Sequence, residues 1–370
     1  MSTSISAAVL RSAGKPLDVT TLTLDEPRDG EVLVRYVASG LCHSDLHVMD
    51  GSMAHPGPVV LGHEGAGVVE KVGPGVTTVS VGDHVLTSYQ PSCGRCWYCS
   101  QGRFNLCELR DANRTVMADG TTRMKDPSDG SDILHFFQLS THAERAVVPE
   151  LGLVKIRKDA PLELACLVSC GVATGFGAVV NKAKVHAGST VVVIGCGGVG
   201  LNAIQAAALV GAAKIVAVDR LPHKLEHARE FGATHTVDGT DEESALAQIR
   251  QICGHDGADY AIEAVGVPAT IMMAFNCIHR GGTAVINGVT ADGAKITFDP
   301  RLLLTERVLT GTSFGSIRAR IDLPLIVDLY MDGKFKLDEL VSREVELKQI
   351  NDSYGRLAAG EARREVLRYG

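Results

Sequence analysis

The sequence predicts an α/β chain of two domains, one on a doubly wound parallel sheet and the other on an antiparallel, barrel-like or sandwiched β arrangement. Three observations carry that expectation. The length of 370 residues exceeds a single core and divides into two of roughly 150 to 200 residues each. The first part of the chain is made of short β-branched runs between turn residues. From about Gly171 the pattern changes to apolar strands alternating with helices. At 45% hydrophobic and 21% charged residues the composition is that of an ordinary globular protein, without the polarity of a disordered one.

Met1 to Pro16 alternates small polar and apolar residues and reads as a first strand. Runs such as Val32–Val37 and Ala66–Val72 follow, bounded by Gly-, Pro- and Asp-rich turns up to about Val148, a pattern of half-buried strands with little helix. Beyond Gly171, Val191–Ile194, Lys214–Val218, Tyr260–Glu263 and Thr283–Val289 fit fully buried strands. Helical periodicity occupies Val199–Val210, Pro222–Phe231, Asp241–Cys253 and Ala269–His279 between them. Repetition in that order implies the parallel sheet. The remainder, Phe314–Gly370, is helical around Ile326 and Leu357 and strand-like over Val341–Leu347. It is expected to return to the first domain, and no internal repeat is visible.

A net charge of -7 gives no basic field, which argues against nucleic-acid and membrane-surface partners. No apolar run reaches the roughly 18 residues of a membrane span, and the start lacks the basic and apolar regions of a secretory signal. A cytoplasmic location is expected. In that reducing compartment the ten cysteines read as metal ligands or buried thiols and not as disulfides.

Gly195-Cys196-Gly197-Gly198-Val199-Gly200 follows the strand Val191–Ile194 and opens the Ala-rich helix beginning at Leu201. In that context Gly195 makes the tight turn, Gly197 admits a pyrophosphate to the backbone, and Gly200 allows close helix packing, with the helix N-terminus facing the phosphates. Asp219 closes the next strand, where a carboxylate accepts from the adenosine ribose and repels a 2′-phosphate, so NAD is expected over NADP. Arg220 beside it would either hold a 2′-phosphate or stack on the adenine. The plainer alternative is a glycine turn in a nucleotide-free α/β domain.

Cys93-x2-Cys96-x2-Cys99-x7-Cys107 puts four thiols in one short segment. Four thiolates make a closed tetrahedral site with no place for substrate, hence a structural one. Zinc and an iron–sulfur cluster both suit that geometry. A second set is scattered: Cys42 in Gly40–Asp45, His63 in Leu61–Gly65, and Cys170 before Gly171. Singly, each reads as a buried thiol or a hydrogen-bonded histidine.

Together these residues resemble the zinc-dependent medium-chain alcohol dehydrogenases, over essentially the whole length. The resemblance rests on Cys42-His43-Ser44-Asp45-Leu46-His47, Gly62-His63-Glu64, the four-cysteine loop, Cys170–Gly175, and Gly195–Gly200 with Asp219, in the family's order and at its separations. It implies a GroES-like catalytic domain of residues 1–171 and 314–370 with two zinc sites, and a Rossmann NAD-binding domain of residues 172–313. It further implies that Cys42, His63 and Cys170 hold a catalytic zinc, with Glu64 just behind it and Asp45 orienting the His63 ring. Cys93, Cys96, Cys99 and Cys107 hold a structural zinc. The cofactor falls to His43, Thr174, Gly195, Gly197, Gly198, Val199, Gly200, Asp219, Arg220, Lys224, Val265, Val289 and Arg364. On residue type alone Lys224 and Arg364 are ordinary solvated charges. His43 departs from the arginine that some relatives place against the pyrophosphate.

The chemistry implied is reversible oxidation of a primary alcohol, aliphatic or aromatic, to an aldehyde: the metal acidifies the bound hydroxyl, hydride passes to NAD, and the proton leaves through Ser44 and a ribose hydroxyl to His47. His47 otherwise reads as a surface histidine. Tyr89, Phe136 and Phe137 match positions lining the family's apolar pocket, and core packing accounts for them equally. The runner-up is a thiol-dependent formaldehyde dehydrogenase acting on an S-hydroxymethyl adduct. Against it, Ser52–Pro56 lacks the acidic residues of that branch, and His47 stands where the branch has tyrosine. A reading of another class is a non-catalytic NAD-binding protein. A cleft between the domains and a homodimer or homotetramer are also implied.

Overall fold

The computed structural model describes residues 2–370, so Met1, at the head of the expected first strand, lies outside the described residues. The chain divides into two compact units: the first runs to Cys170 and resumes over Arg318–Asp332 and Leu337–Gly370, and the second is Gly171–Ile317 with Gly333–Lys336. The expected break at residues 313/314 therefore falls after Ile317. The turn at Phe314–Ser316 stays with the second unit because Gly315 lies against Gly177, where an added Cβ would come 2.2 Å from the Gly315 carbonyl. Gly333–Lys336 stays there too, through Phe335 edge-on to Phe176 and the Lys336 N–H donating to Gln205 Oε1 at 2.8 Å.

The first unit opens with β1 (Thr3–Leu10), β2 (Asp18–Leu24), β3 (Glu31–Gly40), α1 (His43–Met49), β4 (Val59–Val60), β5 (Glu64–Val72) and β6 (His84–Thr87). It continues with α2 (Trp97–Ser100), β7 (Met124–Lys125), β8 (Asp132–His135), β9 (Arg145–Pro149), β10 (Leu153–Ile156) and α3 (Leu162–Ala165). Strands β1, β2, β7, β8 and β4 close into a barrel. Its core of Ile5, Ala7, Val9, Leu22, Leu24, Val60 and Ile133 comes from the inward side of each strand, as alternation along a strand requires. Beside that core Arg123 is almost wholly buried and pairs with Glu31 at 2.6 Å and Asp119 at 2.8 Å. The buried guanidinium is thus matched on two sides, the condition for tolerating it.

The second unit holds α4 (Gly171–Gly177), β11 (Thr190–Ile194), α5 (Gly198–Leu209), β12 (Lys214–Asp219), α6 (Pro222–Glu230), β13 (His235–Asp238), α7 (Glu242–Cys253), β14 (Ala258–Glu263), α8 (Pro268–Asn276), β15 (Ile278–Ile286) and β16 (Val308–Gly311). Its six strands run in the order β13-β12-β11-β14-β15-β16, all pairs parallel. This is the doubly wound Rossmann-like arrangement. Val191, Val192 and Val193 of the central β11 have no exposed surface, because helices cover both faces of such a sheet. The fourth expected strand starts earlier than its pattern suggests, at Ile278, and stops at Ile286. Ala258 pairs with Ile278 and Tyr260 with Thr283, so His279–Gly282 of β15 bulge out opposite the single residue Asp259.

The chain returns to the first unit with α9 (Ala319–Met331), β17 (Val341–Val345), α10 (Ile350–Ala359) and β18 (Arg364–Arg368). β18 pairs antiparallel with β3, placing Val366 opposite Gly40, and β17 adds to it in parallel. A second sheet, β10-β6-β5-β3-β18-β17 with β9 also on β3, thereby joins residues from both ends of the sequence. Among the described residues no single helix is long and apolar enough to cross a membrane.

Candidate active site

Three separate turns of the first unit converge. Cys42 sits between β3 and α1 in extended conformation, capping a helix whose inward side carries Asp45 and Val48. His63 follows Gly62 in the turn between β4 and β5. Gly62 has φ +90°, and any Cβ there would meet Thr141 and His142 at 2.5 Å, so only glycine allows the backbone to turn the imidazole inward. Cys170 ends the short helical turn Cys166–Ser169 that follows α3. One ligand atom each from Cys42, His63, Glu64 and Cys170 lies within 4.8 Å of all the others.

The surroundings are built for a cation. Asp45, with no exposed surface, places Oδ1 3.2 Å from His63 Nδ1, and the same oxygen accepts the Gly62 N–H at 2.9 Å. That contact assigns the proton to Nδ1 and leaves Nε2 as the ring's free donor of electrons. The Cys42 thiol is held well below its ordinary range, first by its hydrogen bond with Cys170 and, against burial, by the His63 ring. Burial opposes protonation of His63, but the Asp45 carboxylate outweighs it and raises the imidazole. Burial pushes the Glu64 carboxyl up to about 7, and its Oε1 has no partner. Two thiols, an imidazole and a backing carboxylate are the donor set that suits a borderline-soft dication such as zinc. The orphaned Glu64 oxygen is what such an ion would satisfy.

Arg364 corrects the sequence reading. It is not a solvated charge: it is buried from β18 behind the cluster, with Nη2 hydrogen-bonded to Glu64 Oε2 and, at 2.9 Å, to the Leu41 carbonyl. Three aromatics ring His63 edge-on: Tyr89 at 5.5 Å, Phe136 at 5.8 Å and Phe137 at 5.8 Å between centroids. Sequence reasoning missed Arg114, whose guanidinium lies over Phe137 at 4.8 Å and donates to the Tyr89 carbonyl. Its only signal was an arginine between the cysteine loop and the aromatic pair. On α1, Ser44 Oγ is 3.7 Å from Cys42 Sγ. His47, one helical turn on, is half-exposed with Nδ1 3.3 Å from Ser52 Oγ, and His43 is exposed.

Cys93, Cys96, Cys99 and Cys107 also bring their sulfurs within 4.8 Å of one another. Backbone N–H groups of Cys93 and Cys96 donate to the Cys107 and Cys93 sulfurs at 3.3 Å, polarisation suited to thiolates. Backbone hydrogen bonds lower the Cys96 thiol to about 6. With four like donors and no neutral or open position, this cluster binds without offering chemistry.

In the second unit the glycine turn behaves as the spacing requires. A Cβ on Gly200 would stand 1.7 Å from the Gly195 carbonyl, so α5 reaches this turn only with glycine there. Asp219, at the end of β12, accepts from the Cys196 N–H at 2.8 Å and the Leu221 N–H at 3.0 Å, which pins the carboxylate beside the turn. Gly197 caps α5 in extended conformation, and Gly198 and Val199 form its first turn. Arg220 is exposed and Lys224, on α6, half-buried. Val265 and Val289 are exposed beyond β14 and β15. Thr174, on α4, is buried with Oγ1 lacking a partner.

Residues 28–158 match the family described as alcohol dehydrogenase GroES-like domain, and residues 198–330 match that described as zinc-binding dehydrogenase. The chain is 42% identical to an S-(hydroxymethyl)glutathione dehydrogenase of Paracoccus denitrificans, covering 98% of this chain and 99% of that one. It is 44% identical to an NDMA-dependent alcohol dehydrogenase of Amycolatopsis methanolica, covering 98% of each. Among solved structures, benzyl alcohol dehydrogenase of Acinetobacter calcoaceticus superposes over 100% of both chains with a TM-score of 0.93 at 34% identity.

Proposed function

The chain belongs to the zinc-type alcohol dehydrogenases, and from that premise we propose that it oxidises primary alcohols, aliphatic or aromatic, to aldehydes with NAD. One observation carries the reading: the approach of Cys42, His63 and Cys170 to within a single ion's reach, backed by Glu64, beside an apolar aromatic wall. A zinc ion held there supplies a Lewis acid that lowers the pKa of a bound hydroxyl, and NAD supplies the hydride acceptor. The chain's own residues do the rest. Asp45 fixes the tautomer and direction of His63, and Arg364 neutralises Glu64 so that the carboxylate does not repel the thiolates. Tyr89, Phe136 and Phe137 exclude water from the reacting carbon. Ser44 would accept the hydroxyl proton as it releases its own through a ribose hydroxyl of the bound cofactor to His47, which is on the same side of α1 and open to solvent. The four-cysteine cluster takes the second, structural zinc. Asp219, held by two backbone N–H groups, favours NAD over its 2′-phosphorylated form.

Two relatives' names support different substrates, and the acid-free Ser52–Pro56 segment favours simple alcohols over a thiol adduct. The test is a substrate panel on the purified protein, with benzyl alcohol, hexanol, and formaldehyde with glutathione, each with NAD and NADP, alongside metal analysis. NADH formation from benzyl alcohol or hexanol with two zincs per chain is expected. Turnover of the glutathione adduct alone would replace this reading with the thiol-dependent one, and no turnover with bound NADH would favour the non-catalytic one. The outer strand β16, with exposed Val308 beside Leu303 and Leu304, is the apolar edge that a homodimer or homotetramer would cover.

A further inference from the structure

We propose that Thr87 and Ser169 are positioning residues for the metal: their hydroxyls tie the backbone of His63 to the turn carrying Cys170, through Gly65, and so set the spacing of two of the three ligands. The proposal rests on reading Cys42, His63 and Cys170 as a zinc site.

The strand register places the first hydroxyl. β5 and β6 pair antiparallel from Val68 opposite His84 to Ala66 opposite Leu86, and the ladder stops there. One step further the same register sets Gly65 against Thr87, the last residue of β6. At that point a side chain takes over from the backbone. The Thr87 hydroxyl accepts the Gly65 N–H at 2.8 Å and donates to the His63 carbonyl at 2.7 Å, so it spans Glu64 from one side to the other. A hydroxyl has one proton to give, which leaves the Gly65 carbonyl, 3.3 Å from the same oxygen, to another donor. That donor is the Ser169 hydroxyl at 3.2 Å, and Ser169 directly precedes Cys170. Two hydroxyls thus make one chain of bonds from the His63 main chain to the turn that presents Cys170.

Packing alone does not call for these groups. Thr87 and Ser169 are almost wholly buried, and valine would suit a strand position such as residue 87 equally well. A hydroxyl taken out of water costs free energy that only its hydrogen bonds return. Gly65, the node between them, has no side chain to anchor it, since a Cβ would meet Thr141 Cγ2 at 2.6 Å and the Tyr36 ring at 2.8 Å. Its place is therefore set by backbone bonds. His63 is held at both ends: Asp45 fixes the ring through Nδ1, and Thr87 fixes the main chain through the carbonyl. Metal bonds of about 2.0 to 2.3 Å make affinity sensitive to small displacements of either ligand, which is where the two hydroxyls act.

The test uses three variants of the full chain. Thr87→Val keeps the volume and branching and removes the hydroxyl, Thr87→Ser keeps the hydroxyl, and Ser169→Ala removes the second link. Each is checked to be folded by circular dichroism. Zinc retention is then read against a graded chelator series, with the four-cysteine cluster as reference, and cobalt(II) is exchanged into the weaker site so that its visible absorption bands report the ligand geometry. Thr87→Val is expected to release one zinc to about tenfold weaker chelator, hold the other as wild type does, and show shifted cobalt bands. Thr87→Ser should return to within about threefold of wild type with the wild-type bands, and Ser169→Ala should weaken the same site about threefold. A folded Thr87→Val protein with wild-type retention and bands would overturn the proposal, as would equal loosening of both zincs or a Thr87→Ser protein no better than the valine variant. If Thr87→Val does not fold, Ser169→Ala decides by the same two readouts, unchanged values overturning the link. Wild type that holds zinc only in the four-cysteine cluster would instead overturn the reading of Cys42, His63 and Cys170 as a metal site, and the proposal with it.

Discussion

Replacing Asp45 with asparagine should empty one metal site and leave the other full. Asp45 touches no ion; it acts through His63 Nδ1 at 3.2 Å and through the Gly62 N–H at 2.9 Å, both on Oδ1. Asparagine preserves the Oδ1 acceptor and its geometry while removing the carboxylate's charge. The variant therefore isolates the electrostatic support of the imidazole from its mere orientation. Outer partners of ligating histidines contribute roughly tenfold to hundredfold in metal affinity, or about 1.4 to 2.7 kcal/mol. The upper end is expected, because Asp45 has no exposed surface and solvent does not screen the pair. The assay is zinc retention against a graded chelator series, read by metal analysis. The four-cysteine cluster serves as an internal standard, being remote from Asp45 in sequence and sharing none of its contacts. Expected is a shift of one of the two zincs to about hundredfold weaker chelator, with the second unmoved. Retention of both zincs at wild-type chelator strength would refute the claim that the carboxylate supports the histidine, and loss of both would point to general unfolding.

Acid should destabilise the first unit through His135. It is fully buried, and desolvation, aided by Arg123, holds it down at about 3. The folded value is depressed, so the stability it contributes is present above the unfolded value of about 6.5 and is lost as pH falls from there toward 3. At pH 5 the cost is about 2 kcal/mol, and His135→Gln, which can still accept from the Arg123 N–H, should lose that much less than wild type between pH 7 and 5 in urea unfolding; parallel losses would exclude His135 as the source. Gly200→Ala, with its Cβ forced toward the Gly195 carbonyl at 1.7 Å, should abolish NADH binding in a fluorescence titration while both zincs stay bound. His47→Gln should lower kcat about tenfold or more with NADH affinity unchanged, and an unchanged kcat would remove His47 from the proton path.

The legibility of the chain followed the range of its interactions. The glycine turn and the four-cysteine loop are each written in a short stretch of sequence; the four sulfurs converge, and Asp219, from the next strand, bonds the Cys196 N–H of the turn. Cys42, His63 and Cys170 are far apart in sequence, and only the resemblance joined them; the structure puts them within an ion's reach. The residue-type reading of Arg364 as a solvated charge failed because nothing local distinguishes an exposed arginine from one buried by a strand pairing. Its place is set by Val366 lying opposite Gly40, a contact no window of sequence contains. The early start of β15 was hidden because His279–Gly282 bulge out within the strand itself, which separates Ile278 from the run that begins at Thr283. Glycine likewise masked α4, whose run Gly171–Gly177 is a poor helix former by propensity; Gly175 is there because a Cβ would lie 2.3 Å from the Val199 carbonyl.

The counter-ion of Glu64 is supplied from 300 residues further along the chain. A nascent chain exposes Cys42, His63, Glu64 and Cys170 long before Arg364, and until Arg364 follows, the acid has no guanidinium beside it and β3 has no β18 along its edge. A chain cut short before residue 364 would carry every candidate ligand and lack the base that holds Glu64 in place.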